Sequence, residues 1–197
     1  MMVVLALYQD RSRTAVKRMA RPLLVIALLF LAVPVHAHRI WLLVDTADAT
    51  LSVMRHGEAL AHFSGISVGR GGVSAQRSRG DDSTPLGEFH IVGVNTQSMY
   101  RRFYVFDFPN AAHAERAHAH GLINKQTLES ITKAVDTHRL PPQNTALGGF
   151  LGIHGLGNAD PGVHQAFNWT NGCIALTNEQ IDALSSWVRV GTKVIVQ

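Results

Sequence analysis

The chain has 197 residues, 46% of them hydrophobic, and a formal net charge of +4 at pH 7 with histidine neutral. This length and apolar content predict a single globular domain. The positive charge is concentrated before residue 22, so the rest of the chain is near neutral. Together with the lack of a basic, aromatic-interleaved patch in the sequence, this excludes nucleic acid as a partner.

The first 37 residues are typical of a secretory signal peptide. Basic residues precede an apolar run over residues 22–33, and Val35-His36-Ala37 fits a small-x-small cleavage site. The apolar run is shorter than the roughly 20 residues that a membrane span needs. We therefore expect cleavage after Ala37, export to the periplasm or cell envelope, and no stable membrane span after cleavage.

Two alternatives to this N-terminal assignment remain open. Met19 is followed by a basic residue and the apolar run, so translation from Met19 would also produce a normal signal peptide. Residues 1–18 would then be a start-site misassignment. An uncleaved N-terminal anchor is the second alternative. If the signal peptide is cleaved after Ala37, the mature domain covers residues 38–197, whichever methionine starts translation.

The first half of the mature domain predicts a series of short strands. Runs rich in β-branched and aromatic residues alternate with turn-forming residues. The predicted strands cover residues 39–44, 50–55, 59–68, 89–94 and 101–108. Between the third and fourth strands, residues 69–83 predict a long loop. Its arginines, Arg70, Arg77 and Arg79, are equally compatible with solvated loop charge and with contact to an anionic substrate.

The second half predicts two helical excursions and the remaining strands. Residues 111–120 and 124–138 have helical composition and spacing, and Pro141-Pro142 ends this insertion. Thr177 and Gln180 form a capping-box pattern that opens a helix over residues 179–188. The remaining predicted strands cover residues 150–153, 172–176 and 191–196. The sequence thus predicts a mainly β domain, a compact β-sandwich with short helical insertions.

The histidines of the insertion do not predict a metal site. His113, His118 and His120 do not share one helical face, and no carboxylate or cysteine completes a zinc-ligand spacing. We expect solvated histidines and no metal or other cofactor. A metal-dependent peptidase, the alternative, would lose activity to a chelator.

The residues with the clearest chemistry are a histidine and the single cysteine. His154 precedes Cys173 by nineteen residues, and both lie beside glycines and short apolar runs. A free thiol titrates near ~8.5, so a nucleophilic cysteine needs a base within hydrogen-bond reach. An unpaired cysteine in an exported protein indicates a reactive thiol. We predict that Cys173 is the nucleophile and His154 its base.

Three motifs together resemble the L,D-transpeptidase catalytic domain of the YkuD type. They are His154 followed after a spacer by Thr170-Asn171-Gly172-Cys173-Ile174, the Gly-Asp-x-x-Thr-Pro-x-Gly-x-Phe pattern over residues 80–89, and the closing Gly-Thr-x-Val-x-Val over residues 191–196. The resemblance covers nearly all of residues 39–196. It implies an L,D-transpeptidase-like β-sandwich that acts on peptidoglycan stem peptides.

Further sequence features resemble the YafK-like branch of this family. They are Phe108-Pro109-Asn110, the Arg116-Ala117 region, and Pro141-Pro142-Gln143 followed by Leu147-Gly148-Gly149. Two departures concern the site. Many members have histidine where this chain has Asn171, and arginine where it has Ala175. The second departure puts the binding of the substrate's carboxylates, and hence the substrate, in question.

The resemblance also implies roles for the residues around the nucleophile. Cys173 would form a thioester with the substrate, and backbone N–H groups near Asn171, Gly172 and Cys173 would bind the oxyanion. Gly155 and Thr170 are expected to line the site, beneath a roof formed by residues 156–168. His164 is expected to be a surface or lid residue, and Asn178 a helix-start residue rather than a substrate ligand.

Three functions are compatible with this sequence. The first is L,D-transpeptidation by a monomer, with the acyl group passed to an amine. The second is hydrolysis of the same peptides, or of a peptidoglycan-linked protein, by a carboxypeptidase or amidase-type reaction; the departures at Asn171 and Ala175 favour it. The third is a non-catalytic wall-binding domain in which Cys173 is structural, and a thiol pKa well below the free value would argue against it.

Overall fold

A computed structural model describes residues 40–137 and 139–197. The predicted signal peptide, the cleavage site at Ala37 and the alternative start at Met19 lie outside the described residues, so they stay predictions. Within the described ranges, none of the helices combines the length and apolar composition needed to cross a bilayer.

The described residues form ten strands and four helices. The strands are β1 (Trp41–Asp45), β2 (Thr50–Arg55), β3 (Glu58–Ser64), β4 (Val73–Ser74), β5 (Thr84–Pro85), β6 (Gly87–Ser98), β7 (Arg101–Phe106), β8 (Gly152–His154), β9 (Ile174–Ala175) and β10 (Lys193–Val196). The helices are α1 (Ala111–Ala119), α2 (Lys125–Asp136), α3 (Pro161–Ala166) and α4 (Asn178–Leu184). The prediction of a mainly β domain with short helices is confirmed.

One long strand joins the two halves of the main sheet. The strand order is β3-β2-β1-β10-β6-β7-β8-β9, and β4 and β5 form a separate small pair. Residues 87–90 of β6 pair with β10, whereas residues 91–98 pair with β7. The register shifts between Ile91 and Gly93. Because such a bulge bends a strand, β6 can serve both halves of the sandwich.

The segment after β3 connects the two outer edges of this sheet. Ser67 bridges Ala175 of β9 through two backbone hydrogen bonds of 3.0 and 2.8 Å, and Gly69 bridges Thr170. The predicted third strand ends at Ser64 instead of continuing to residue 68, because Gly65 adopts a positive φ of 70° that breaks the extended backbone. This break turns the chain toward β9, the strand that follows Cys173.

Alternating residues of the strands fill the core. In β1, Leu42 and Val44 are fully buried while their neighbours are partly exposed. Phe89 of β6 stacks on Phe106 of β7 with ring centroids 5.0 Å apart. Burial of such side chains contributes roughly 1.5–3 kcal/mol each, which makes the sheet a rigid support for the short strands β8 and β9.

Helix α4 begins at its predicted cap, and its end has a local cause. Thr177 and Gln180 form the capping box of α4 as predicted. This helix ends at Leu184 rather than at residue 188, because the hydroxyls of Ser185 and Ser186 donate to carbonyls of the preceding turn. The short helix α3 was not predicted, although Asp160 before Pro161 is a common helix start.

One histidine of the insertion is not solvated as expected. His113 is only 3% exposed and stacks on Phe89, with ring centroids 5.3 Å apart. Its Nε2 lies 3.1 Å from the Leu86 carbonyl oxygen. His113 therefore packs α1 against the sheet, because an imidazole can fill an apolar site while its ring nitrogens contact the Leu86 carbonyl and the Asn110 side chain. His118 and His120 are exposed as expected.

Candidate active site

His154 and Cys173 lie on neighbouring parallel strands. His154 of β8 is in register with Ala175 of β9, and Cys173 precedes Ala175 by two residues. Since alternate residues of a strand project to the same side, the Cys173 and His154 side chains face the same side of the sheet. Both line one cavity. The fold therefore brings together the two residues on which the sequence argument depends.

The environment of His154 determines which of its nitrogens can accept a proton. Its Nδ1 lies 2.7 Å from the Gly155 carbonyl oxygen, which can only accept. Nδ1 must therefore carry the hydrogen, and Nε2 of the neutral ring has the free lone pair. Burial lowers the pKa of His154, although the hydrogen bond to Gly155 opposes this effect. His154 is thus held as a neutral base.

Aromatic rings enclose the His154 imidazole and account for its desolvation. Tyr100 lies with its ring centroid 4.3 Å away, Trp169 contacts the imidazole edge-on at 5.8 Å, and Phe103 is 6.0 Å away. Trp169 is held in turn, because its Nε1 donates to His164 Nδ1 at 3.2 Å. His164 is therefore a buried support of this cage, 5% exposed, and not a surface residue as expected.

The thiol of Cys173 is partly accessible and neutral in the resting state. Burial on its inner side raises the pKa of Cys173 to about 11, and a backbone hydrogen bond from Gly152 and the charge of Arg77 oppose this rise. The Sγ–H points to the Phe150 carbonyl oxygen at 3.6 Å. With a neutral thiol beside a neutral imidazole, the site favours general-base activation during attack over a preformed ion pair.

The backbone position of Phe150 depends on a glutamine from the helical insertion. Gln143 Oε1 accepts a hydrogen bond from the Phe150 N–H at 2.6 Å, and Gln143 Nε2 donates to the Phe108 carbonyl. Phe150 has a positive φ of 55°, so the strand predicted from residue 150 begins only at Gly152. The Pro-Pro-Gln pattern of the sequence thus supports the wall of the site next to Cys173.

A single hydroxyl closes the turn that carries the nucleophile. Thr170 Oγ1 donates to the Cys173 carbonyl at 2.7 Å and accepts from the Gly172 N–H at 3.1 Å. Gly172 has a φ of 117°, a conformation that disfavours other residues. Because the Gly172 N–H is bonded to Thr170, the amides of Asn171 and Cys173 are the better candidates for binding an oxyanion.

The cavity over Cys173 has a volume of about 700 Å³ and a different roof from the expected one. Its walls come from the loop around Arg77 and Asp82, from the β6–β7 hairpin and from the turn at residues 169–173. Residues 156–168 do not line it. Asn178 holds that segment aside, since its amide makes two hydrogen bonds of 2.9 Å to the backbone of Gly157. The β6–β7 hairpin, with Tyr100 and exposed Met99, forms the roof instead.

The other predicted site residues divide into two groups. Thr170 and Asn171 line the cavity. Gly155 is buried and lies outside the lining. A Cβ at this position would be 2.9 Å from the Tyr100 carbonyl oxygen, and the Gly155 carbonyl accepts the hydrogen bond from His154 Nδ1. Ala175 is fully buried and also lies outside the lining. Gly172 lies within the turn at residues 170–173 and outside the lining.

The loop arginines resolve into two exposed residues and a buried one. Arg70 pairs with Asp82 and Arg79 is exposed, whereas Arg77 is 5% exposed and lines the cavity. No pattern in the sequence separates Arg77 from the other two. Among residues 40–137 and 139–197, there is no cluster of three or more histidine, cysteine or acidic side chains suited to a metal ion.

A comparison with protein families identifies the family of this chain. Residues 39–196 match the model of the YkuD family, the L,D-transpeptidase catalytic domain. The chain belongs to this family. Membership supports a peptidoglycan L,D-transpeptidase-type function and confirms the resemblance drawn from the three motifs. The YafK-like branch stays a prediction. No curated protein matches the sequence.

Solved structures with the same fold share little sequence with this L,D-transpeptidase domain. Bd1075 of Bdellovibrio bacteriovorus is 18% identical with a TM-score of 0.53, and the match covers 82% of this chain and 49% of Bd1075. The helical cell shape determining protein Pgp2 of Campylobacter jejuni is also 18% identical with a TM-score of 0.53, over 81% of this chain and 47% of Pgp2. This chain thus spans about half the length of the structures it matches, and the likeness shows the fold alone.

Proposed function

We propose that this protein is an exported cysteine acyltransferase that performs L,D-transpeptidation on peptidoglycan stem peptides through a Cys173 thioester. The observation that supports this most is the neutral His154, whose free Nε2 lone pair lies in the same cavity as the only thiol of the chain. Family membership supports the substrate class. Location in the periplasm or cell envelope follows from the predicted signal peptide.

The first half-reaction forms the acyl-enzyme. His154 Nε2 takes the proton from the Cys173 thiol as Sγ attacks the carbonyl carbon of the scissile amide. The thiol now points to the Phe150 carbonyl, so this transfer needs a turn about the Cys173 side chain or one bridging water. The oxyanion would accept hydrogen bonds from the backbone, each such donor contributing about 3 kcal/mol. The C–N bond then breaks, and His154 returns the proton to the leaving amine.

The second half-reaction transfers the acyl group. The acceptor amine attacks the thioester carbon and gives its proton to His154. The C–S bond breaks, and the sulfur recovers the proton from the imidazole. Attack by water would instead give hydrolysis, the second candidate, which rests on the departures at Asn171 and Ala175. The buried position of Ala175 weakens that argument, because this residue does not face the cavity.

Intact-mass analysis of the full chain tests the proposal. We expect a mass increase of one acyl group after incubation with a carbapenem or a tetrapeptide stem, and none in Cys173→Ala with an unchanged fold by circular dichroism. Because Cys173 is the only cysteine, any thiol adduct reports on this residue. An alanine variant that acylates like the parent would refute the mechanism. A parent that never acylates would favour the wall-binding alternative.

The same assay separates transfer from hydrolysis. With a tetrapeptide stem and an added D-amino acid, a transpeptidase releases the exchanged tetrapeptide. A hydrolase releases only the tripeptide. Exchange in the parent, lost in His154→Gln, is the expected result. Tripeptide as the single product would replace transpeptidation by the carboxypeptidase reaction.

A further inference from the structure

The guanidinium of Arg77 connects three separate segments of the chain through their carbonyl groups. Nε donates to Ser83 at 2.8 Å, Nη1 to Leu147 at 3.1 Å and Nη2 to Asn171 at 3.0 Å. These acceptors are neutral, and the ion pair with Asp81 is long at 3.7 Å. A buried cation that is only loosely paired is costly, so its charge calls for a further explanation.

The third of these bonds holds the peptide unit between Asn171 and Gly172, one unit before the peptide bond to the nucleophile. The carbonyl of Asn171 accepts from Arg77, and the N–H of Gly172 in the same peptide unit donates to Thr170 Oγ1. Because a peptide unit is planar, holding both ends fixes its orientation. The next amide along the chain is that of Cys173. The two bonds therefore restrain the backbone from which the chain continues through Gly172 to the nucleophile.

Gly172 shows how closely the turn lies on the guanidinium. A Cβ built on Gly172 would be 3.2 Å from Arg77 Nε and 3.3 Å from Nη2, and only 2.5 Å from the Ser83 carbonyl oxygen. The residue before the nucleophile is thus in contact with the cation. Arg77 and Cys173 line the same cavity, and a nearby positive charge favours a thiolate over a thiol. The charge of Arg77 opposes the burial that raises the pKa of Cys173.

We propose that Arg77 is a positioning residue for the acyl transfer: its buried guanidinium fixes the turn at residues 170–173 and supplies the positive charge that stabilises the Cys173 thiolate as the thioester forms and breaks. The inference rests on the proposed function for its second half. This role distinguishes Arg77 from the other two arginines of the loop: Arg70 and Arg79 are exposed, whereas Arg77 is buried and lines the cavity that contains Cys173.

Three variants of the full chain test this role. Arg77→Met removes both charge and hydrogen bonds, Arg77→Lys keeps a charge but loses the planar fork, and Arg79→Met is the control from the exposed part of the same loop. Two measurements apply to each variant. The rate of iodoacetamide alkylation against pH gives the pKa of Cys173, and mass analysis gives the rate of carbapenem acylation.

In Arg77→Met we expect the pKa of Cys173 to rise above that of the parent, because the variant loses a positive charge that favours the thiolate. Acylation should fall at least ~10-fold, since a displaced nucleophile loses its alignment. Arg77→Lys should keep the thiol pKa near that of the parent while acylation still falls, because lysine cannot donate to three carbonyls at once. Arg79→Met should match the parent in both.

An unchanged thiol pKa and acylation within two-fold of the parent in Arg77→Met would overturn the proposal. If that variant does not fold, Arg77→Lys decides, and parental acylation in it overturns the positioning role. The alkylation profile needs no enzymatic activity. If iodoacetamide alkylates Cys173 of the parent but no carbapenem acylates it, the proposed function is refuted. The effect of Arg77 on the pKa of the thiol is still measured in that case.

Discussion

The hydroxyl of Thr170 offers a sharp test of how the nucleophile is held. Thr170→Val replaces the hydroxyl with a methyl of similar size at a site that is 3% exposed. It removes the hydrogen bonds of 2.7 Å to the Cys173 carbonyl and 3.1 Å from the Gly172 N–H. Two bonds at about 1 kcal/mol each, with two backbone groups left poorly satisfied, predict a loss of about 2–3 kcal/mol in the free energy of unfolding.

This loss should be visible in both stability and acylation. For a domain of this size it corresponds to a fall of about 5–10 °C in melting temperature. The loosened turn should lower carbapenem acylation at least ~10-fold, because small displacements of a nucleophile are costly. Thr170→Ser keeps the hydroxyl and should retain most of both. A valine variant with the melting temperature and acylation rate of the parent would refute the role assigned to this side chain.

Three further predictions follow from the same geometry. Burial lowers the pKa of His154 below its usual 6.5, so the imidazole stays unprotonated at neutral pH. We therefore expect kcat/KM to fall only as the pH drops below about 6.5. A decline that already begins near pH 7.5 would contradict this. Asn178→Ala loses both hydrogen bonds to Gly157 and should lower the free energy of unfolding by about 1–2 kcal/mol in denaturant titrations, where an unchanged midpoint would argue against the anchor. Gly152→Ala would place a Cβ 1.9 Å from the Tyr104 carbonyl oxygen, so we expect little soluble protein on expression, and a normally folded variant would show that β7 and β8 are less tightly paired than described.

Much of the fold could be predicted from the sequence because its signals are local. Strand β2 follows from its β-branched run, and the start of α4 from the capping box at Thr177. The predictions were wrong where one backbone conformation or one side-chain bond decided the outcome. Gly65 ends β3 early through its positive φ, and Ser185 ends α4 through a bond to the preceding turn.

The chemistry of the candidate site was also predictable in part. A lone cysteine, a histidine nineteen residues before it and the glycine beside the sulfur determine which atoms can react, since thiol and imidazole have these properties in any fold. The protonation states of His154 and Cys173 could not be predicted from the sequence. The low pKa of His154 comes from rings such as Tyr100 and Trp169 that are distant in sequence, and the raised pKa of Cys173 comes from burial.

The sequence by itself thus determined the family and predicted Cys173 as nucleophile and His154 as base, because these inferences depend on residue type and spacing. Only the tertiary structure decided which arginine of the 69–83 loop contacts the turn before Cys173, which segment forms the roof of the cavity and which nitrogen of His154 carries the hydrogen. These are contacts between segments far apart in the chain, such as the 94 positions from Arg77 to Asn171. Spacing along a sequence carries no information about them, whereas the close packing of the folded chain determines them.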